Sequence, residues 1–247
     1  MKNKLTFTLL VILLITFFWL SPSIPAAASQ NLPAVDVNHI KQATILITMQ
    51  APAQQKNALA HGMATIVQSQ GKSFLVTHNH WGDVLQDLTS VEFRTAGNKL
   101  ILPIFGKEFR RLVFYQDAGT LALYLPEGWP VEMKPASVEL GLRLKVGDTV
   151  QVAYREKPNR TTVAVLDATV QAVSKFEGLP IYELRSLDGQ ALQPGDSGGG
   201  VWYNGKLVAN NWAVVKASTP KVTSGKNSTV QKILTDQSYA AILPEDF

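Results

Sequence analysis

Short runs of β-branched or alternating apolar residues, each closed by a turn, dominate the chain beyond residue 42, and helical periodicity is scarce. Residues 43–49, 62–67, 73–77, 91–94, 99–104, 111–115 and 120–125 form a first group of about six strands. Ala96-Gly97-Asn98 and Asp117-Ala118-Gly119 supply turn chemistry between them. Residues 126–135 are richer in proline and polar side chains and read as a connector. A second group follows at 144–154, 162–174, 181–184, 200–203 and 206–209, the last two joined by Asn204-Gly205, a favoured two-residue hairpin turn. Residues 228–236 are expected to form a short helix capped by Asn227 or Ser228, and 239–243 a final strand. Two successive groups of short strands predict an all-β protein made of two tandem six-stranded antiparallel β-barrels, with any active site in the cleft between them. The expected boundaries are 29–126 for the N-terminal barrel, 127–143 for the connector and 144–247 for the C-terminal barrel.

The first 28 residues are set aside as a leader. Lys2 and Lys4 precede an apolar run over 5–20, and small residues at Ala26 and Ala28 complete a signal-peptide pattern cut after Ala28. The protein is therefore expected to be secreted or extracytoplasmic; an uncleaved leader would instead act as an N-terminal anchor, although its apolar run is shorter than the roughly 20 residues that span a bilayer. Without Lys2 and Lys4 the formal charge falls from +4 to +2. So small and scattered a charge argues against a nucleic-acid surface, and beyond the leader nothing points to a membrane. The chain has no cysteine, so it can carry neither disulfides nor thiol chemistry.

Gln193-Pro194-Gly195-Asp196-Ser197-Gly198-Gly199-Gly200 is the densest glycine segment of the second group. Glycines around one serine let a substrate backbone approach closely, although a plain loop between strands would have the same composition. The histidines decide among chemistries. His39, His61, His78 and His80 all precede Ser197, whereas the G-x-S-x-G elbow of α/β-hydrolases requires a histidine after its serine. His78 and His80 with Asp83 lack the further ligands of a hydrolytic metal centre, so neither metal nor cofactor is expected.

The remaining order is histidine, aspartate, serine, and here the segments resemble trypsin-like serine proteases of the chymotrypsin fold, in a compact bacterial form. Phe74-Leu75-Val76-Thr77-His78-Asn79-His80-Trp81 resembles the family's strand and Thr-x-x-His signature, with His80 at the base position. Asp117-Ala118-Gly119-Thr120-Leu121-Ala122-Leu123 is similar to its aspartate segment, and Gly195-Asp196-Ser197-Gly198-Gly199 matches its serine motif throughout. The resemblance implies a triad of His80, Asp117 and Ser197, an oxyanion hole from the N–H groups of Gly195 and Ser197, and Asp196 as the buried carboxylate that orders this loop. His78 competes with His80, and Asp83, Asp87, Asp148 and Asp167 compete with Asp117.

By the same resemblance Ala191 stands at the base of the specificity pocket, and Asn211-Trp212-Ala213 forms the edge that pairs with substrate backbone. An apolar base in place of an acid argues against a basic preference, and Ala213, where the family has glycine, narrows the pocket; together they imply small or medium apolar side chains at the cleaved position. No activating N-terminus follows Ala28, so Asp196 is expected to find other donors, because an unpaired buried carboxylate is costly. The expectation is a monomeric, exported serine endopeptidase acting on protein or peptide substrates, with a catalytically silent peptide-binding domain as the alternative.

Overall fold

The computed structural model describes residues 36–52, 59–79, 85–130, 133–156, 159–217 and 233–245, with the side chains of 213–217 and 233–235 left aside. The leader, His80, Trp81 and Asp83 lie outside the described residues.

The first group of strands begins with helix α1 (Val37–Ala43), capped by Asp36, whose carboxylate accepts from the Asn38 N–H at 2.9 Å. Strands β1 (Thr44–Gln50), β2 (Leu59–Ser69), β3 (Lys72–His78), β4 (Ser90–Thr95) and β5 (Leu100–Phe105) follow. Helix α2 (Gly106–Leu112) then leads into β6 (Val113–Gln116) and β7 (Thr120–Tyr124). Antiparallel pairing orders them β5-β4-β1-β2-β3-β7-β6. The alternation in β1 explains its place: Ile45, Ile47 and Met49 enter one core with Phe93, Leu121 and Phe109 of α2, while Leu46 on the opposite face enters another. Both short helices escaped the strand reading of the sequence; α2 lies between the runs 99–104 and 111–115, with only Arg111 and Leu112 inside the second.

The second group contains β9 (Thr149–Arg155), β10 (Val163–Phe176), β11 (Leu179–Ser186), β12 (Gly200–Tyr203), β13 (Lys206–Ala217) and β14 (Ile233–Ile242), after a three-residue strand β8 (Ala136–Val138). Their pairing closes a ring of six, β9-β10-β11-β14-β13-β12 and back to β9. Its interior holds Val150, Val152, Leu166, Tyr182, Leu184, Val201 and Ile242. The Asn204-Gly205 turn has φ of 51° and 77°, as a primed hairpin turn requires. This is an all-β, tandem-barrel architecture of the chymotrypsin type.

The C-terminal segment corrects the sequence reading. Residues 233–236, expected to be helical, open β14 instead, because the ring needs a strand between β11 and β13. That tertiary pairing outweighs a local capping signal. The remainder of the expected helix, 228–232, lies outside the described residues.

Two features join the barrels. β8 pairs in parallel with both β2 and β13. A shared apolar cluster runs from Ile40, Leu46, Met63 and Val76 to Val163, Leu207 and the fully buried Trp202.

Candidate active site

Ser197 stands in the connection from β11 to β12. Pro194 and Gly195 form the corner of a turn in which the Asp196 N–H donates to the Gln193 carbonyl at 3.0 Å. Proline presets the first central φ, and Gly195, at φ +95°, supplies the left-handed second one. Next to the serine, Gly198 has φ +84°, and a Cβ there would sit 2.0 Å from the Met63 carbonyl oxygen and 2.4 Å from Thr77 Oγ1. Only glycine fits.

This close approach fastens the serine loop to both barrels. Met63 N–H in β2 donates to the Ser197 carbonyl at 2.8 Å, and Gly198 N–H donates to the Asn211 carbonyl in β13 at 2.7 Å. Thr77, buried in β3, donates its hydroxyl to the Met63 carbonyl at 2.5 Å, so the C-terminal end of β3 lies directly behind the serine loop. Among the described residues, the N–H groups of Gly195 and Ser197 have no acceptor, which leaves both donors available.

Asp117 occupies the turn between β6 and β7. One carboxylate oxygen accepts from the N–H groups of Gly119 at 2.7 Å and Thr120 at 2.5 Å; the other accepts from the Tyr115 hydroxyl at 3.1 Å. The Asn79 amide donates to the Asp117 carbonyl and accepts from Gln116 Nε2 at 3.1 Å. In the β3–β7 register His78 faces Thr120. The C-terminal end of β3 is thus flanked by the serine loop on one side and by Asp117 on the other, and Asn79, in contact with Asp117, immediately precedes residue 80 in sequence. His78 is almost wholly buried at this strand end, 2 % exposed.

Asp196 is also 2 % exposed, as the resemblance implies for this position. Its donors come from the end of β9, the β9–β10 connection and the serine loop itself. One oxygen accepts from Arg155 N–H at 2.9 Å and from Arg160 Nη2 at 2.8 Å, and the other from Gln193 N–H at 2.6 Å. Arg160 also binds Gln193 Oε1 at 2.8 Å and the Pro194 carbonyl at 2.9 Å. Arg155 sends Nε to the Gly195 carbonyl at 3.1 Å, Nη1 to the Arg160 carbonyl at 3.1 Å, and Nη2 to the carbonyls of Ile47 and Gly62 at 3.2 and 2.8 Å. Burial, with the Arg160 charge beside it, lowers the Arg155 pKa to about 10, so Arg155 remains a cation at neutral pH. Burial raises the Asp196 carboxyl, and the three donors and the charge of Arg160 oppose that rise. His61 contacts Thr48 Oγ1 through Nδ1 at 3.2 Å; partial burial, then the charges of Arg155 and Arg160, hold its pKa below the ordinary imidazole value.

These two arginines were absent from the sequence reading. A buried Asp196 required other donors, but nothing in the order of residues distinguishes Arg155 and Arg160 among 23 lysines and arginines. Their selection depends on the fold of one hairpin and on the positive φ of Arg160, 54°.

The substrate-binding candidates are partly assembled. Ala191 is half-buried beside the buried Leu192. Asn211 lies against the serine loop, its N–H donating to the Gly199 carbonyl at 2.8 Å and its amide to the Ala153 carbonyl at 3.1 Å. Trp212 packs edge-on to Phe176, with ring centroids 5.2 Å apart, over Leu179 and Ile181. Ala213 pairs with Tyr239. Residues 218–226 of the expected pocket wall lie outside the described residues. Among the described residues no group of three or more histidine, aspartate or glutamate side chains could hold a metal ion.

No protein-family model matches the chain, and no curated protein sequence does. Solved structures do. The active form of the Rv3671c protease from M. tuberculosis superposes with a TM-score of 0.56 at 16 % identity, over 87 % of this chain and 85 % of that one. The HtrA-type protease AlgW, solved with a tripeptide, superposes with a TM-score of 0.55 at 15 % identity, over 83 % of this chain and 58 % of that one. At such identities the likeness is one of fold.

Proposed function

We propose that the chain is an exported, monomeric serine endopeptidase in which Ser197 is the nucleophile, His80 the general base and Asp117 the carboxylate that orients it. One observation carries the reading: the serine loop and Asp117, 80 residues apart in sequence, flank the same end of β3, which closes two residues before His80. The fold shared with Rv3671c and AlgW supports it.

In this mechanism His80 takes the Ser197 hydroxyl proton as Oγ attacks the scissile carbonyl. The developing oxyanion is met by the N–H groups of Gly195 and Ser197. Collapse of the tetrahedral intermediate transfers the proton from His80 to the leaving amine and leaves an acyl-Ser197. Water, deprotonated by the same histidine, then releases the second product. Asp117 stabilises the imidazolium and fixes its tautomer. Arg155 and Arg160 do not touch substrate; they hold the Gly195 carbonyl and Asp196, and therefore the direction of the oxyanion donors. With Asp196 satisfied in this way, the chain released at Ala28 needs no further activating cleavage. Ala191 at the pocket base selects small or medium apolar side chains.

A fluorophosphonate probe tests the chemistry. Labelling of the Ser29–Phe247 protein that is abolished in Ser197→Ala and in His80→Ala is the expected result. A folded protein that binds peptides without being labelled would establish the silent alternative. Cleavage confined to bonds after arginine in a peptide library would refute the assigned specificity.

A further inference from the structure

The β9–β10 connection also walls a cavity of about 890 Å³. Glu156, Thr162 and Val163 line it on this side, and Lys41 of α1, Lys99 of the β4–β5 turn and Lys134 of the segment before β8 line it elsewhere. Among the described residues none of these three lysines has an ion-pair partner. The one carboxylate present, Glu156, accepts the Thr162 hydroxyl at 2.9 Å. Leu100, Ile101 and Met133 supply an apolar floor. Three ammonium groups from three separate elements around an apolar floor leave a positive potential that an anion would relieve. A compact anion would satisfy one corner and leave the floor wet, whereas a chain bearing spaced carboxylates and apolar side chains would satisfy both. The volume suits a few residues of such a chain.

We propose that this cavity binds acidic, partly apolar peptide segments and serves as a second anchoring point for substrates of the Ser197 site; the latter role rests on the protease reading. The cavity and the nucleophile loop share one short stretch of chain. Arg160, whose guanidinium reaches Asp196, donates its N–H to the Glu156 carbonyl at 2.8 Å, and Glu156 N–H donates to the Thr162 carbonyl at 2.8 Å. A polypeptide that engages both places would hold a scissile bond at a raised effective concentration at the cleft.

The first test needs no catalysis. Calorimetric titration of the Ser197→Ala protein with N-acetyl-Glu-Leu-Glu-Leu-Glu-amide is expected to show saturable binding. Lys99→Gln and Lys134→Gln should each raise Kd on the order of fivefold, as exposed charge pairs allow. Lys72→Gln, which removes the same charge outside the cavity, should leave Kd unchanged. No binding, equal binding of the Gln-Leu-Gln-Leu-Gln analogue, or full displacement by millimolar inorganic phosphate would overturn the peptide assignment. The second test joins the acidic segment through a flexible linker to a cleavable peptide. In the unmodified protein KM should fall with kcat unchanged, and the gain should vanish in Lys99→Gln/Lys134→Gln. Binding in the first test without a KM gain in the second would overturn the anchoring role, whereas absence of turnover on every peptide would instead overturn the protease reading.

Discussion

Arg160 is the residue on which the site's order most depends, because it is the cationic partner of an almost fully buried carboxylate. Removing one member of such a pair strands the other, which costs about 3 kcal/mol or more when the site is dry. Arg160→Met should therefore destabilise the protein by about 3 kcal/mol in urea denaturation and slow fluorophosphonate labelling of Ser197. Arg160→Met/Asp196→Asn should recover part of the stability, since no charge is then stranded, without recovering the labelling rate. Asp117→Asn belongs to the same scale. Its carboxylate accepts three hydrogen bonds at the β6–β7 turn; an amide oxygen can keep the two from Gly119 and Thr120, but an amide NH2 cannot accept the third from Tyr115. A fall in kcat of about 10⁴ at little-changed KM is expected from steady-state kinetics if Asp117 sets the histidine tautomer.

Two glycines separate local strain from close approach among the elements. Gly71, in the β2–β3 turn at φ +75°, has nothing within 4 Å of the place a methyl group would take, so Gly71→Ala should cost only about 1 kcal/mol of left-handed strain. Gly198→Ala meets a backbone carbonyl at 2.0 Å as well as an unfavourable φ, and should cost more than about 3 kcal/mol, read as a shift in denaturation midpoint. The strands and their turns were legible in the sequence because alternation and Asn-Gly or Ala-Gly-Asn punctuation act over two to seven residues. The seven-residue helices α1 and α2 carry too few turns to establish a period, and β14 is a strand because of neighbours far away in sequence. The same limit applied at the site. Ser197, Gly195 and Asp117 stand in local motifs, whereas Arg155, Asn79, Tyr115 and Asn210 become relevant only when separate elements meet, as when Asn210 donates to Thr120 Oγ1 at 3.1 Å beside the Asp117 turn.

At the scale of the molecule, the barrels are joined by hydrogen bonds, a common apolar cluster and a buried cation. Trp202, fully buried at their junction, should cost about 3–5 kcal/mol when changed to alanine, and a single unfolding transition should shift rather than split, which calorimetry would show. Acid should also destabilise the fold through His61, which stands beside the Gly195 turn and near the charges of Arg155 and Arg160. Its folded pKa lies below its unfolded value near 6.5, so below that value the unfolded chain binds the proton more readily. Stability should therefore decline as pH falls from about 7 through the folded pKa, and His61→Gln should flatten that part of the profile in pH-dependent denaturation.

The closed ring of the second barrel also imposes an order in time. Asn211, whose backbone holds the serine loop, belongs to β13, and β13 completes the ring only through β14, which begins 36 residues after Ser197. Until those residues have been made and have found their place between β11 and β13, the ring that carries the Ser197 loop stays open. Under the proposed function, a chain still under synthesis would thus be harmless to its neighbours, and the capacity to cut would arrive with the completion of the fold.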